Sequence, residues 1–136
     1  QILFRGELLT PRLQAQLRGK QIALIPQSVS YLDPLMAVGS QVHRAGCLSG
    51  LTNKKAKQMV DQVFNRYSLA TLVKRLYPFQ LSGGMARRVL VATAAVGCAE
   101  LLIADEPTPG LHPDVVAETL NHLRELANAG KGVILI

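Results

Sequence analysis

Aromatic side chains are scarce in this sequence, which has no tryptophan and only three tyrosines and three phenylalanines among 136 residues. Because single-stranded nucleic acid is bound largely by stacking of bases on aromatic rings, the sequence offers little material for such a surface. We therefore expect no nucleic-acid partner. The sequence also has no apolar run of about 18 residues, the length that a membrane-spanning helix needs.

Cysteine is nearly as scarce, with Cys47 and Cys98 far apart and neither in a CxxC motif. Two isolated thiols indicate reduced cytosolic cysteines rather than a disulfide framework. His43 lies four residues before Cys47, but such a pair without further ligands is no metal site. Residues 1–9 have neither an initiator Met nor the basic start and long apolar stretch of a signal peptide, so we expect the chain to begin within a longer protein.

Basic residues outnumber acidic ones, with 15 Lys plus Arg against 9 Asp plus Glu and a net charge of +6. Nucleic acid, anionic lipid or nucleotide phosphates could each be the partner of such a chain. The denser basic region, residues 54–75, has the spacing of a solvated helix face. Charge alone therefore does not distinguish these partners, whereas a hydrophobic fraction of 49% indicates a folded core.

Apolar runs alternate with helical patterns along the chain. The runs at 22–25, 101–104 and 133–136 predict buried strands, because each is short, continuous and bounded by turn signals. Residues 2–4 form a short β-like run that ends at Arg5-Gly6, and residues 8–19 are poorly periodic. Helices are predicted from Thr52 or Asn53 to Tyr67, over 70–76, over 85–96, and from Pro113 to a stop at Gly130. Strands that alternate with helices predict an α/β fold whose parallel sheet is covered on both faces.

Three of these helices have a predicted buried face. The helix after Thr52 has its stripe at Ala56, Met59, Val60, Val63, Phe64 and Tyr67. The helix after Pro113 has its stripe at Val116, Leu120, Leu123 and Ala127. Residues 85–96 are apolar on nearly every side except at Arg87 and Arg88, which predicts a helix buried in the domain.

Two carboxylates, Asp105 and Glu106, directly follow the apolar run at 101–104. Ligands of open parallel sheets bind at the carboxyl ends of the strands. An Asp at such a position can hold Mg²⁺, and a neighbouring Glu can orient or deprotonate an attacking water. The alternative is a pair of solvated turn carboxylates.

Two further groups are candidates for a phosphate or metal site. Ser82, Gly83 and Gly84 precede a predicted helix, where backbone N–H groups and the helix dipole favour phosphate, although the same residues could form only a flexible loop. Gln27 follows the strand at 22–25, and its amide can coordinate Mg²⁺ or orient water. Taken alone, Gln27 could equally be a polar residue that ends a strand.

In combination, LSGGM (81–85), a helix, an apolar strand ending in DEPT (105–108) and an upstream strand-end Gln resemble the nucleotide-binding domain of ATP-binding-cassette (ABC) ATPases. The resemblance implies a P-loop NTPase-like (RecA-like) parallel sheet with an inserted helical subdomain, truncated at both ends. The partial domain covers residues 1–136: 1–34 would be the end of the β-subdomain and the Q-loop, 35–80 the helical subdomain, and 81–136 the signature, Walker B strand, D-loop and following strand. The segments ILFRGELL, RGKQIALIPQ, LDPLMAVGSQV and LYPFQLSGGMARR look most like dipeptide, oligopeptide and nickel importers.

The resemblance also implies an activity, cofactors and partners. It implies an ATP-hydrolysing importer subunit whose cofactors are ATP and Mg²⁺. The implied partners are a second ABC ATPase domain, of the same or another kind, and the permease subunits that ATP hydrolysis drives. A solute-binding protein would be an indirect partner. Such a subunit is cytoplasmic and peripheral on the inner face of the cell membrane. By resemblance, the catalytic residue is Glu106, the nucleotide-binding residues are Gln27, Ser82, Gly83, Gly84 and Met85, and the metal ligands are Asp105 and Gln27.

Three departures from the family pattern keep other functions open. The sequence has no GxxxxGK[ST] phosphate loop, and it ends at VILI, after which the family has a switch histidine. His112 stands where the D-loop usually has Asp, which places D-loop contacts across a dimer in doubt. The alternatives are an ABC ATPase of translation or DNA repair and a degenerate, non-hydrolysing interaction module.

Overall fold

The computed structural model describes residues 1–136, which form two sheets and five α-helices. The strands are β1 (Leu3–Phe4), β2 (Glu7–Leu8), β3 (Ile22–Ile25), β4 (Leu101–Ala104) and β5 (Gly132–Leu135). The α-helices are α1 (Pro11–Leu17), α2 (Val38–Leu48), α3 (Asn53–Arg66), α4 (Gly83–Ala95) and α5 (Pro113–Asn128), and short 3₁₀ segments cover Val29–Tyr31, Thr71–Arg75 and Pro78–Gln80. No helix is both long and apolar enough to cross a membrane.

The central sheet is parallel and has the strand order β3-β4-β5. In its register Ile25 lies beside Ala104, and Ala104 lies beside Leu135. The predicted parallel sheet is confirmed, with β3 and β4 at the predicted bounds and β5 one residue earlier than expected. The carboxyl ends of the three strands therefore meet at one edge of the sheet.

The two faces of this sheet differ in how far they are covered. α4 and α5 contribute to the core that buries Ile25, Leu102 and Ala104 completely. On the opposite face Leu24 is 51% exposed and Ile134 is 47% exposed. The expectation that helices cover both faces is therefore wrong, because the elements of this chain cover one face, and even there Leu135 of β5 is exposed.

In the helical region between β3 and α4, α2 and α3 pack against each other and against α4. α3 begins as predicted, since Thr52 Oγ1 accepts a hydrogen bond from the Lys55 N–H at 3.3 Å. Its predicted stripe is confirmed: Ala56, Val60, Val63, Phe64 and Tyr67 are buried, and Met59 is partly buried. The helix predicted over 70–76 is instead the 3₁₀ segment Thr71–Arg75, because a stretch this short before Pro78 does not extend beyond a tight turn.

The β-like run at 2–4 is confirmed as β1, whereas residues 7–17 contain more regular structure than their pattern predicts. Arg5 and Gly6 both have positive φ (51° and 83°), as in the two-residue turn of a tight hairpin, and they join β1 to β2. α1 follows Thr10, whose Oγ1 accepts from the Leu13 N–H at 3.3 Å. Since α1 buries only Leu17, it has no apolar stripe for a periodicity argument to detect.

α5 is rotated relative to its predicted orientation. Its buried residues are Thr119, His122, Leu123 and Leu126. The predicted stripe is confirmed at Leu123, and Val116 is half-buried, but it is wrong at Leu120, which is 38% exposed, and at Ala127, which is exposed as well. A shift of one position turns a helix by about 100°, and here packing brings the His122 ring against Tyr67, with ring centroids 4.7 Å apart. Beyond α5, Gly130 has the positive φ (89°) expected of a residue that ends a helix.

Candidate functional site

Polar side chains meet where β3 and β4 end. Gln27 Nε2 donates a hydrogen bond to Glu106 Oε2 at 2.5 Å, although the two residues are far apart in the sequence. The Asp105 N–H donates to Ile25 O at 3.0 Å, and the Glu106 N–H donates to Ile136 O at 3.0 Å. The backbone pairing of the sheet therefore continues past β4 and holds both carboxylate-bearing residues in fixed positions. We call Gln27, Asp105 and Glu106 the strand-end group.

Glu106 has an unusual backbone conformation, with φ at +41°. Residues other than glycine rarely occupy this left-handed region, and a residue before proline normally favours an extended backbone. Such strain costs of the order of 1–3 kcal/mol and is concentrated at functional sites. The following residue, Pro107, is among the most completely buried in the chain, so surrounding packing holds the turn in place.

The strand-end group offers oxygen ligands suited to a magnesium ion. Mg²⁺ in nucleotide sites is usually held by one or two carboxylates together with phosphate oxygens. The Asp105 and Glu106 carboxylates and the Gln27 amide supply such oxygens at one sheet edge. No group of three or more His, Cys, Asp or Glu side chains comes together in the chain, so the arrangement is not that of a metal cage built from protein ligands alone.

The N-terminus of α4 carries the second set of candidate residues, Ser82, Gly83, Gly84 and Met85. Ser82 is the N-cap, and its Oγ accepts from the Met85 N–H at 3.2 Å. α4 begins at Gly83, two residues earlier than predicted. A Cβ added at Gly83 would meet no atom within 4 Å, and one at Gly84 would meet only Arg88 Nη2 at 4.0 Å. We call these four residues the α4 terminus.

Glycine at the α4 terminus has no explanation in the packing of this chain. Neither Gly83 nor Gly84 has a positive φ. Because glycine is a poor helix former, its presence in the first turn is unfavourable unless something outside the chain approaches the backbone closely. The Ser82 hydroxyl accepts one hydrogen bond within α4 and keeps its own hydrogen to donate.

The structure brings Gln27 and Glu106 into contact but does not bring the α4 terminus into contact with them. Arg87, one turn into α4, contacts the backbone that carries Gln27, although the sequence pattern placed its side chain on the polar side of the helix. Arg87 is only 5% exposed, and it donates from Nη1 to Pro26 O at 3.0 Å and from Nη2 to Gln27 O at 2.8 Å. No sequence signal distinguishes this buried arginine from its neighbour Arg88.

His112, at the position where the family usually has Asp, is the N-cap of α5. Its Nδ1 accepts from the Asp114 N–H at 3.5 Å and lies 3.4 Å from Asp114 Oδ2. The imidazole is largely exposed. The substitution therefore keeps a capping function within the chain, while its effect on contacts to a second domain stays a prediction.

A buried aromatic pair lies between the helical region and α5. Burial raises the pKa of Tyr67 to about 12 and lowers the pKa of His122 from its usual value. The Tyr67 hydroxyl and His122 Nδ1 have no hydrogen-bond partner. Around the pair, Arg66 lies 3.5 Å from Glu125, and Arg88 lies 3.9 Å from Glu118.

Comparison with known proteins identifies the family of this chain. The ABC transporter family matches residues 1–109. A Brucella melitensis relative whose name describes a peptide import ATP-binding protein is 35% identical over 99% of this chain and 43% of its own length. The oligopeptide transport ATP-binding protein AmiE of Streptococcus pneumoniae is 36% identical over 92% of this chain and 38% of its own length. The chain therefore spans about two-fifths of the length of these relatives.

Solved structures agree with this family at the level of the fold. A dimeric ATP-binding cassette in a post-hydrolysis state bound to ADP and Pi superposes with a TM-score of 0.78 at 22% identity, covering 96% of this chain and 57% of that one. The ATP-binding subunit of an ABC transporter gives a TM-score of 0.70 at 24% identity, covering 85% of this chain and 47% of that one. These likenesses confirm the predicted P-loop NTPase-like fold. Since the family match extends over most of the chain and relatives above 30% identity cover nearly all of it, the chain belongs to the ABC transporter family of ATP-binding proteins.

Proposed function

We propose that the protein carrying this chain is the ATP-binding and ATP-hydrolysing subunit of an ABC importer that takes up peptides or a similar small solute. The observation that carries the proposal is the contact of Gln27 with Glu106 beside Asp105, at the sheet edge where ligands bind in this fold. Peptide is favoured over nickel, the other solute that the importer resemblance suggests, because the relatives are named for peptide import.

Glu106 is the proposed catalytic base. The Gln27 amide donates to one oxygen of its carboxylate, which leaves the other oxygen able to accept a proton from an attacking water. Asp105, together with the Gln27 amide oxygen, would hold Mg²⁺. The bound ion would supply neutralisation of the charge that develops on the transferred phosphate.

The α4 terminus is the proposed contact for the phosphates of ATP held by a second ABC domain. Ser82 has a free hydroxyl hydrogen, and Gly83 has open space where a side chain would stand. The backbone N–H groups of Gly83 and Gly84 add donors, and the first turn, with the Met85 N–H already bonded to Ser82 Oγ, adds the positive end of the helix dipole. The partner is accordingly a second copy of this protein or a related subunit.

Permease subunits are the proposed partners of the helical subdomain, residues 35–80. Several large apolar side chains of this region are exposed, including Leu35 at 88%, Leu72 at 67% and Phe79 at 78%. Tyr77, itself 40% exposed, stacks on Phe79 with ring centroids 5.8 Å apart, and exposed apolar groups that lie together in this way mark protein interaction sites. In this arrangement the protein works on the cytoplasmic face of the membrane, and a solute-binding protein acts through the permease.

A non-hydrolysing interaction module is the second candidate, favoured by His112. That side chain is engaged with Asp114 of its own helix, and a partner domain would meet an imidazole where the family usually presents a carboxylate. Such a module would bind ATP or a partner domain without turnover, so an activity measurement separates it from the first candidate.

The test is ATP hydrolysis by the purified full-length protein with Mg²⁺, compared with its Glu106→Gln variant. Gln keeps the size of Glu but cannot accept a proton, and loss of a positioned base lowers rates by about 10²–10⁴-fold. We expect that loss with ATP binding retained and a closed dimer trapped. Glu100→Gln is the matched control, since Glu100 is an exposed carboxylate paired with Arg5 on another side of the fold. Hydrolysis by Glu106→Gln within a few-fold of wild type would show that Glu106 is not the base.

A further inference from the structure

The segment that carries Gln27 leaves the sheet immediately after β3. The last pairing bond of β3 at this edge is the one from the Asp105 N–H to Ile25 O. Pro26 has no N–H to donate, and no backbone group of the chain bonds to the carbonyls of Pro26 or Gln27. Sheet pairing therefore does not fix the peptide from which the Gln27 side chain projects.

Arg87 supplies the bonds that the sheet does not. Its guanidinium donates to Pro26 O at 3.0 Å and to Gln27 O at 2.8 Å, from two nitrogens of one rigid plane. Two parallel donors define the orientation of successive carbonyls as well as their position. Since the next link is the bond of the Gln27 amide to Glu106, the orientation of that peptide sets the position of the amide.

The burial of Arg87 has no other explanation in the fold. The side chain forms no ion pair, whereas its neighbour Arg88 lies 3.9 Å from Glu118. Its Nε is buried without a hydrogen-bond partner. Burying a charge without a carboxylate is unfavourable, so a role in stability alone would be served better by an apolar residue of similar length.

We propose that Arg87 is a positioning residue that sets Gln27 against Glu106 and connects the α4 terminus to the strand-end group. The proposal rests on the proposed function for its catalytic consequence. Arg87 lies one turn beyond Gly83 on α4. A ligand that shifts the α4 terminus would therefore move the carbonyls of Pro26 and Gln27 with it, and through them the amide that contacts Glu106.

The first test is hydrogen exchange of the full-length protein, in Arg87→Met and in Arg88→Met as the matched control. Arg88 donates to the carbonyls of Tyr67 and Ser68, at 3.5 and 3.2 Å, and within α4 to Gly84 O at 3.3 Å, but not to the segment that carries Gln27. We expect Arg87→Met to raise hydrogen exchange over residues 26–33 by about tenfold and to leave exchange over residues 66–70 unchanged. Arg88→Met should raise exchange over residues 66–70 and leave residues 26–33 unchanged. Unchanged exchange over 26–33 in Arg87→Met, or an equal rise in both segments, would contradict the proposal.

The second test measures coupling through Gln27. In the wild-type background Arg87→Met should lower kcat by about tenfold, and in a Gln27→Ala background it should have little further effect, because residues that act through one contact are not additive. Arg88→Met should cause the same fold-change in both backgrounds. Additive losses for Arg87→Met would overturn the positioning role.

Arg87→Lys retains the charge but reaches only one carbonyl, so it should give an intermediate rise in exchange even if Arg87→Met folds poorly. If the full-length protein proves unable to hydrolyse ATP, the proposed function fails, while the exchange measurement still decides whether Arg87 holds the Gln27 segment.

Discussion

The strand-end group and the α4 terminus are both identified by short sequence motifs, yet their surroundings in the structure are opposite. Gln27 and Glu106 contact each other, and Arg87 holds the backbone beneath Gln27. At the α4 terminus, Ser82 bonds only within its own helix, and Gly83 faces open space. The first set is an arrangement completed within the chain, whereas the second is a surface whose residue types make sense only with a ligand from outside.

The largest effect that this comparison predicts is the complete loss of ATP turnover when residues 1–136 are prepared alone. The strand-end group would be present, but the sequence has no GxxxxGK[ST] loop to hold phosphates beside it. We expect turnover at background level in an assay with Mg²⁺ and ATP. Turnover that depends on Mg²⁺ and disappears in Glu106→Gln would show that the strand-end group suffices by itself.

The same preparation should also be oligomeric, aggregated or only marginally folded. Leu24 and Ile134 are exposed on the open sheet face, and β5 is an edge strand of the three-stranded sheet. Exposed apolar faces and free edges promote association, and a domain is stable by only about 5–15 kcal/mol in total. Mass in solution and urea unfolding check this. A monomer with a steep transition and several kcal/mol of stability would contradict it.

A single methyl group at the α4 terminus should separate activity from stability. In the full-length protein, Gly83→Ala should raise the free energy of unfolding by up to about 1 kcal/mol, since the added Cβ meets nothing within 4 Å and Ala is the better helix former. It should lower hydrolysis by about 10²-fold, because the methyl group would block close approach of phosphate to the backbone donors. Urea unfolding and a steady-state ATPase assay measure the two effects.

Gly39→Ala is the matched control for that experiment. Its Cβ would lie 2.7 Å from Lys74 O, so the same substitution should lower stability by about 1–3 kcal/mol through overpacking. Loss of stability in Gly83→Ala would mean that the α4 terminus is packed more tightly than the structure shows. Unchanged hydrolysis in Gly83→Ala would remove the case for a phosphate contact there.

The smallest predicted effect is a loss of folding stability at acidic pH, which arises at His122 and affects the fold that supports both the strand-end group and the α4 terminus. Burial lowers the pKa of His122 below its unfolded value of 6.5, although Glu118 and Glu125 act in the opposite sense and Arg88 and Arg66 add to the lowering. Below pH 6.5 the unfolded state therefore binds more protons at this residue than the folded state does. As the pH is lowered from about 6.5, the free energy of unfolding should decrease, and it should stop decreasing once the pH is below the pKa of His122 in the folded state.

His122→Phe tests this prediction, because it keeps a ring against Tyr67 and removes the titrating group. Urea midpoints between pH 7.5 and 5 should decline less in His122→Phe than in the wild type. His112→Gln should keep the wild-type decline, since His122 is still present. Equal declines in all three proteins would show that His122 does not carry the effect.

The sequence predicted well where short-range signals and burial agree. β3 and β4 are continuous apolar runs with turn signals on both sides, and α3 has both a capping Thr52 and a regular stripe. Because Gln27 and Glu106 each follow a predicted strand, a parallel sheet places both at one edge, but the adjacency of β3 and β4 that brings them into contact was not predicted.

Other features depended on contacts between distant elements, which no local pattern records. The orientation of α5 is set by the packing of His122 on Tyr67. Arg87 is buried because its guanidinium donates to the carbonyls of Pro26 and Gln27, which follow β3. The left-handed φ of Glu106 is held by tertiary structure against the preference of a residue that precedes proline. The α1 helix lacked a stripe, although Thr10 and Pro11 were a readable start signal.

The parallel pairing of β3 with β4 also determines when the strand-end group can assemble during folding. The whole helical region lies between these strands, so their pairing closes a long loop and is slow compared with the local contacts of α2 with α3. The helical region can become ordered before the sheet edge exists. Gln27 and Glu106 would then come together among the last contacts to form, after the helical region with its exposed Leu35, Leu72 and Phe79 has become ordered.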